Sequence, residues 1–139
     1  MMRRLFEPSA PRLIEPSWNH GRFLDLWSFV HFFTGALLGL AAWWFGVSLA
    51  RTFLLVVGLA TLYEVVEILL QISEDAENVL TDIIVTSLGS AFAWWLASVT
   101  HPSTVILVWA GAGIAAFDAF LFSLGWRHYL KRKLRGKRN

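Results

Sequence analysis

The chain has 139 residues, of which 56% are hydrophobic and 16% charged, with a formal net charge of +2 and a mean hydropathy of +0.55. This balance excludes an ordinary soluble domain, which could not hide so much apolar surface from water, and it indicates one compact unit in lipid. The absence of cysteine excludes disulfides, thiolate metal sites and a cysteine nucleophile.

Four apolar stretches follow one another along the chain, joined by short links. They run from Leu26 to Phe45, from Thr52 to Ile72, from Val79 to Val99 and from Thr104 to Trp126. Each is close to the ~20 residues that cross a bilayer, and each is predicted to be helical because unpaired backbone is too costly in hydrocarbon. Short links place sequence neighbours side by side. The prediction is therefore an all-α membrane protein, a four-helix transmembrane bundle with up-down-up-down topology.

Lysine and arginine are concentrated at the two ends of the chain. Before the first stretch stand Arg3, Arg4, Arg12 and Arg22, and after the last stand Arg127, Lys131, Arg132, Lys133, Arg135, Lys137 and Arg138. By the positive-inside rule, both termini are predicted to be cytoplasmic. The chain then divides into an N-terminal cytoplasmic or interfacial segment (1–25), the bundle (26–126) and a polybasic cytoplasmic tail (127–139). We expect the basic residues to meet anionic headgroups of the lipid bilayer, with no nucleic-acid partner.

Small residues recur at helical spacing in the first and fourth stretches. They are Gly35 and Gly39 in the first, and Gly111, Ala115 and Ala119 in the fourth. Such stripes let helix backbones approach closely. Tight packing within the chain is the favoured interpretation, and a homodimer seam is the alternative.

Five ionisable residues lie inside the apolar stretches. They are His31, Glu64, Glu67, Asp82 and Asp118. A charge in the bilayer core costs at least about 2.5 kcal/mol, so these groups need partners or a purpose. With a rise of about 1.5 Å per residue, hairpin connectivity predicts that all five meet in one layer of the cytoplasmic half.

Polar stripes on two of the helices support this layer. The first consists of Thr61, Glu64, Glu67 and Gln71, and the second of Asp82, Thr86, Gly89 and Ala93, which Asn78 extends by one turn. Both stripes are predicted to face the interior of the bundle.

The same region lacks basic counterparts, since no lysine or arginine occurs between Arg51 and Arg127. Clustered carboxylates cannot all be ionised in a low-dielectric site. They must share protons, pair with imidazolium, admit water or hold a cation. Arg22 or Arg127, reaching in from the interface, is expected to supply part of the compensation.

Four interpretations of the cluster stay open at this stage. In the first, the polar groups hydrogen-bond across helices and only stabilise the bundle. In the second, they form a proton path. A third interpretation is a divalent metal site, in which hard oxygen ligands and one imidazole suit Mn, Fe or Zn; its ligands would be His31, Glu64, Glu67 and Asp82. The fourth is a pocket for a cation or a polar group of a lipid or small molecule, formed by His31, Glu64, Glu67, Asp82, Thr86 and Asp118.

Catalysis is not indicated. Ser28, Ser87 and Ser90 stand in no nucleophile motif, so no catalytic residue is assigned.

The spacing of the polar residues resembles the VanZ-like family of small bacterial membrane proteins and its YjdF-like inner-membrane relatives. The matching residues, between about 22 and 95, are Asp25, His31, Phe32 and Gly35, then Tyr63, Glu67 and Gln71, then Asp82, Thr86 and Gly89. Thr86 stands where the family usually has Asn, whereas Glu64 and Asn78 lean toward the YjdF-like pattern. The resemblance implies the bacterial inner membrane and an envelope context, and it implies no reaction.

The predicted function is therefore a multi-pass membrane protein whose carboxylate and histidine pocket binds a cation or a polar lipid or small-molecule group, in an envelope- or lipid-related role. The alternative is a non-catalytic accessory subunit of a larger respiratory or photosynthetic membrane complex, in which the polar layer only holds helices together.

Overall fold

The computed structural model describes residues 12–19, 22–70, 72 and 75–136, with the side chains of 135 and 136 left out. Four helices follow in order: α1 (Leu26–Trp44), α2 (Leu49–Leu69), α3 (Ala76–Thr100) and α4 (Thr104–Gly136). All four are long and apolar enough to cross a membrane. The predictions of an all-helical chain and of one helix for each apolar stretch are confirmed.

The fourth helix is longer than its apolar stretch. It has 33 residues, which corresponds to about 50 Å, and it continues from the apolar stretch into the basic region without a break. Most of the segment predicted as a separate tail is thus an extension of α4. Lys137 and Arg138 lie outside the described residues.

Short-range polar contacts fix where α1 and α3 begin. Asp25 caps α1 by accepting hydrogen bonds from the backbone N–H groups of Trp27 (2.7 Å) and Ser28 (3.3 Å). The Ser28 hydroxyl accepts in return from the Asp25 N–H at 3.3 Å, which completes a capping box. Asp75 caps α3 by accepting from the Asn78 N–H at 2.8 Å. The Asn78 amide donates to the Phe23 carbonyl at 3.4 Å, so the two helix starts lie beside each other.

The core of the fold is the contact between α1 and α3. A Cβ added to Gly35 would overlap the Thr86 carbonyl oxygen, and one added to Gly39 would overlap the Ser90 carbonyl oxygen. In the other direction, Gly89 of α3 lies against the backbone of Phe32. The predicted close approach of the Gly35–Gly39 stripe is therefore confirmed as packing within the chain.

The position of α4 differs from the prediction. It packs on α1 and makes no comparable contact with α2 or α3, so the expectation that sequence neighbours lie side by side is wrong for α3 and α4. Aromatic edges support the contact with α1, since the ring centroids of Phe33 and Phe117 are 5.1 Å apart. A Cβ added to Gly111 would meet nothing within 4 Å, so its stripe does not pack tightly. Helix α2 contacts α3 and, less, α1, and this leaves a cleft between α2 and α4.

Candidate functional site

Three of the predicted site residues meet in the interior of the bundle. Each of His31, Glu64 and Asp82 offers one ligand atom, and these atoms lie within 4.8 Å of one another; the three residues are called the acid–histidine group below. They come from α1, α2 and α3. Glu64 and Asp82 are 3% and 1% exposed, and the His31 side chain is 14% exposed. The sequence-based expectation of convergence is therefore met for these three residues.

Asp82 is held by two side chains of α1. Its Oδ1 accepts a hydrogen bond from the Ser28 hydroxyl at 3.1 Å, and its Oδ2 lies 3.6 Å from Nε2 of His31. Ser28 also belongs to the capping box at the start of α1. The first turn of α1 thus does two things: it caps the helix, and it holds the carboxylate of Asp82.

The other side of the His31 ring is set by Thr86. The Thr86 hydroxyl donates its single proton to the Asp82 carbonyl at 2.7 Å and lies 3.5 Å from Nδ1 of His31. Because that proton is already used, the contact with His31 requires Nδ1–H to donate to the Thr86 oxygen. In a neutral ring this tautomer leaves a lone pair on Nε2, which faces Asp82. The rings of Tyr63 and His31 pack nearly perpendicular to each other, with centroids 5.6 Å apart.

Glu67 and Asp118 lie outside the acid–histidine group. Glu67 is half-buried and lines a cavity of about 140 Å³ together with His31 and Tyr63. Asp118 accepts a hydrogen bond from the Thr34 hydroxyl at 2.9 Å and lines the larger cleft. Of the five predicted groups, three therefore come within ligand distance of one another, whereas Glu67 and Asp118 line cavities that they share with His31. Asp118 is reached from α1 because α4 contacts no other helix in the described part of the chain.

The two predicted polar stripes differ in how deeply their residues are buried. Every member of the α3 stripe is buried: Asp82, Thr86, Gly89 and Ala93. Among the described members of the α2 stripe only Glu64 is buried, while Thr61 is exposed and donates to the Val57 carbonyl at 2.8 Å. Residues spaced by three rotate about 60° per step around a helix with 3.6 residues per turn, so such a stripe drifts off one face. Gln71 lies outside the described residues.

Neither predicted arginine compensates the buried carboxylates. Arg22 instead forms an ion pair with Glu77 at 3.1 Å, and its guanidinium lies 5.4 Å from the centre of the Phe23 ring. Arg127 is exposed. The expectation that Arg22 reaches into the cluster is wrong.

Sequence reasoning missed two hydroxyl partners, Ser28 for Asp82 and Thr34 for Asp118. The signal for Ser28 was available, because Ser28, His31 and Gly35 follow at three and four residues and share one face of α1. No comparable signal links Thr34 to α4, since the partner depends on how α4 docks.

A comparison of this chain with protein-family models, with curated proteins and with solved structures finds no match in any of the three. The resemblance to VanZ-like and YjdF-like proteins stays a prediction from the spacing of the polar residues.

Proposed function

We propose that the protein is a multi-pass membrane protein that binds one divalent cation in the acid–histidine group. The observation that carries this proposal is the 3.6 Å approach of His31 Nε2 to Asp82 Oδ2. In the neutral tautomer that donates from Nδ1 to Thr86, both atoms are hydrogen-bond acceptors. Two buried acceptors at this distance repel each other unless a proton or a cation lies between them.

The charges of the group favour a divalent ion. Two carboxylates and a neutral imidazole carry a charge of −2, and a divalent cation neutralises it without any other basic side chain. One imidazole with two carboxylates is a donor set that suits Mn, Fe or Zn. Thr86 acts as the outer partner that orients a ligating histidine through its second nitrogen. Glu67 lines the adjoining cavity beside His31 and serves as a further oxygen ligand when its side chain turns inward.

The proposed setting is the bacterial inner membrane. The spans run up-down-up-down, both termini are cytoplasmic, and the cation site lies in the cytoplasmic half. The basic end of α4 contacts anionic headgroups, at about 1 kcal/mol per basic residue near the surface. The distribution of lysine and arginine and the four apolar helices support this arrangement. The VanZ-like resemblance supports an envelope- or lipid-related role.

The test is metal binding by the full chain, purified in mild detergent without a histidine tag. Co²⁺ serves as the probe because its visible absorption reports ligand type, and bound Mn, Fe and Zn are measured by mass spectrometry. We expect about one ion per chain. Asp82→Asn and Glu64→Gln should weaken binding at least as much as the roughly 10–100-fold loss typical of outer-shell changes. Glu77→Gln is the matched control, since Glu77 pairs with Arg22 away from the group.

The proposal fails if the wild-type chain binds no metal, or if the two variants bind as well as the control. Unchanged metal content with a lowered melting temperature in both variants would identify the group as an interhelical polar lock. Membrane-protein partners are tested separately by purification in mild detergent, where a constant companion would support the accessory-subunit alternative.

A further inference from the structure

A second polar feature lies in the cleft between α2 and α4. The cleft has a volume of about 490 Å³, and α1 forms its floor. Its walls are largely aliphatic and aromatic, including Leu37, Leu38, Leu59, Ala115 and Phe122. Asp118 supplies the carboxylate among the lining residues. From this arrangement we infer that the cleft binds a lipophilic amine, with the ammonium group on Asp118.

The hydrogen bonding of Asp118 is incomplete. Its Oδ2 accepts from the Thr34 hydroxyl at 2.9 Å, whereas Oδ1 has almost no accessible surface and no hydrogen-bond partner among the described residues. Leaving a buried acceptor without a donor costs about 1–3 kcal/mol, and more for a charged group. An ammonium group brings three donors and a positive charge to this carboxylate. An amine in the cleft supplies the missing donor once the carboxylate of Asp118 turns Oδ1 toward it.

The charge of the lining selects against lipids that carry a phosphate. Among the described residues, the lining of the cleft includes no lysine or arginine to meet a phosphate or a carboxylate. The basic residues of α4 begin at Arg127, nine positions or about 14 Å beyond Asp118. Tyr63 and Phe122 also line the cleft, and aromatic rings attract a cation placed over their faces. The occupant is thus a cation with an apolar body and no anionic group.

The size and access of the cleft fit such a molecule. Its volume is within the roughly 300–1,000 Å³ of small-molecule sites. Because α2 and α4 do not pack against each other, an amphiphile reaches Asp118 sideways from the bilayer. Asp118 lies outside the acid–histidine group, but His31 and Thr86 also line this cleft, so the two sites adjoin and are told apart by a variant of Asp118.

The test uses the full chain in phosphatidylcholine nanodiscs and equilibrium dialysis of radiolabelled dodecylamine. Dodecanol and dodecyl phosphate have the same chain and serve as comparison ligands. Binding is counted as the excess over nanodiscs without protein. We expect saturable binding of about one dodecylamine per chain, at least tenfold tighter than that of either comparison ligand.

Two variants test the site itself. Asp118→Asn keeps the shape but removes the charge, and it should weaken amine binding at least tenfold, while Glu77→Gln should leave it unchanged. Because Asp118→Asn also alters the contact with Thr34, Ala115→Phe provides a second route by filling the cleft without changing a charge. Asp118→Asn should bind Co²⁺ like the wild type, which separates this site from the cation site.

The inference is overturned if amine uptake equals that of empty nanodiscs, if dodecanol binds equally well, or if Asp118→Asn has no effect. Displacement of dodecylamine by phosphatidylethanolamine, added to the nanodiscs, would also overturn it by showing a phospholipid headgroup site.

Discussion

Nε2 of His31 lies 3.6 Å from Oδ2 of Asp82, and the two residues belong to different helices that meet through glycine backbones. The distance depends on Thr86 contacting Nδ1 on the far side of the imidazole and on Ser28 holding Oδ1, the other oxygen of the Asp82 carboxylate. The geometry of the proposed cation site therefore depends on how closely α1 packs on α3. Four predictions test these dependencies.

The first prediction concerns the orientation of His31. Thr86→Val removes the hydroxyl that accepts from Nδ1, so the ring loses the contact that selects its tautomer. Affinity for Co²⁺ should fall by about 10–100-fold. Thr81→Val is the matched control, because the Thr81 hydroxyl donates to the Glu77 carbonyl at 2.8 Å in the same way without touching His31. Equal affinities in the two variants would exclude this role for Thr86.

The second prediction concerns the close approach of α1 and α3. In Gly35→Ala the new methyl group would overlap the Thr86 carbonyl, and a backbone atom cannot move aside like a flexible side chain. Overpacking of this kind costs about 1–3 kcal/mol of unfolding free energy. In Gly58→Ala the methyl group meets nothing within 4 Å, and stability should rise by up to about 1 kcal/mol from helix propensity. Thermal unfolding in detergent, followed by circular dichroism, measures both. A Gly35→Ala protein as stable as the wild type would contradict the packing described.

The third prediction concerns the link between α1 and α2. The Trp94 indole N–H donates to the Val47 carbonyl at 2.9 Å, which ties α3 to this turn. Trp94→Phe removes the donor and should lower the free energy of unfolding by about 1 kcal/mol. Trp95→Phe serves as the comparison, since Trp95 is half-exposed on the same helix. If both substitutions lower the free energy of unfolding equally, the Trp94–Val47 hydrogen bond does not stabilise the fold.

The fourth prediction concerns helix capping. Asp25→Ala removes the acceptor for two N–H groups at the start of α1, and loss of such a cap costs about 0.5–2 kcal/mol. Ser48→Ala at the start of α2 should cost much less, because the Ser48 side chain makes no capping hydrogen bond. Urea or SDS titration of both variants provides the comparison. Equal losses would show that the Asp25 cap does not stabilise α1.

The amino-acid sequence by itself determined the number of helices, their approximate bounds and the presence of acids in an apolar setting. These are local properties, because hydropathy and length are read along the chain, and a helix satisfies its own backbone hydrogen bonds. The buried α3 stripe from Asp82 to Ala93 was predictable for the same reason, since spacings of four and three keep residues on one face.

Only the tertiary structure decided which helices touch. Side chains from separate helices meet only after rotation and docking, and neither quantity is encoded by hydropathy when all faces of a helix are apolar. Hence the structure, and not the sequence pattern, placed α4 on α1 alone, paired Asp118 with Thr34 and directed Arg22 to Glu77. It also brought His31, Glu64 and Asp82 together while leaving Glu67 beside them, because Glu64 and Glu67 lie about 60° apart around α2 and the rotation of the docked helix decides which carboxylate points inward.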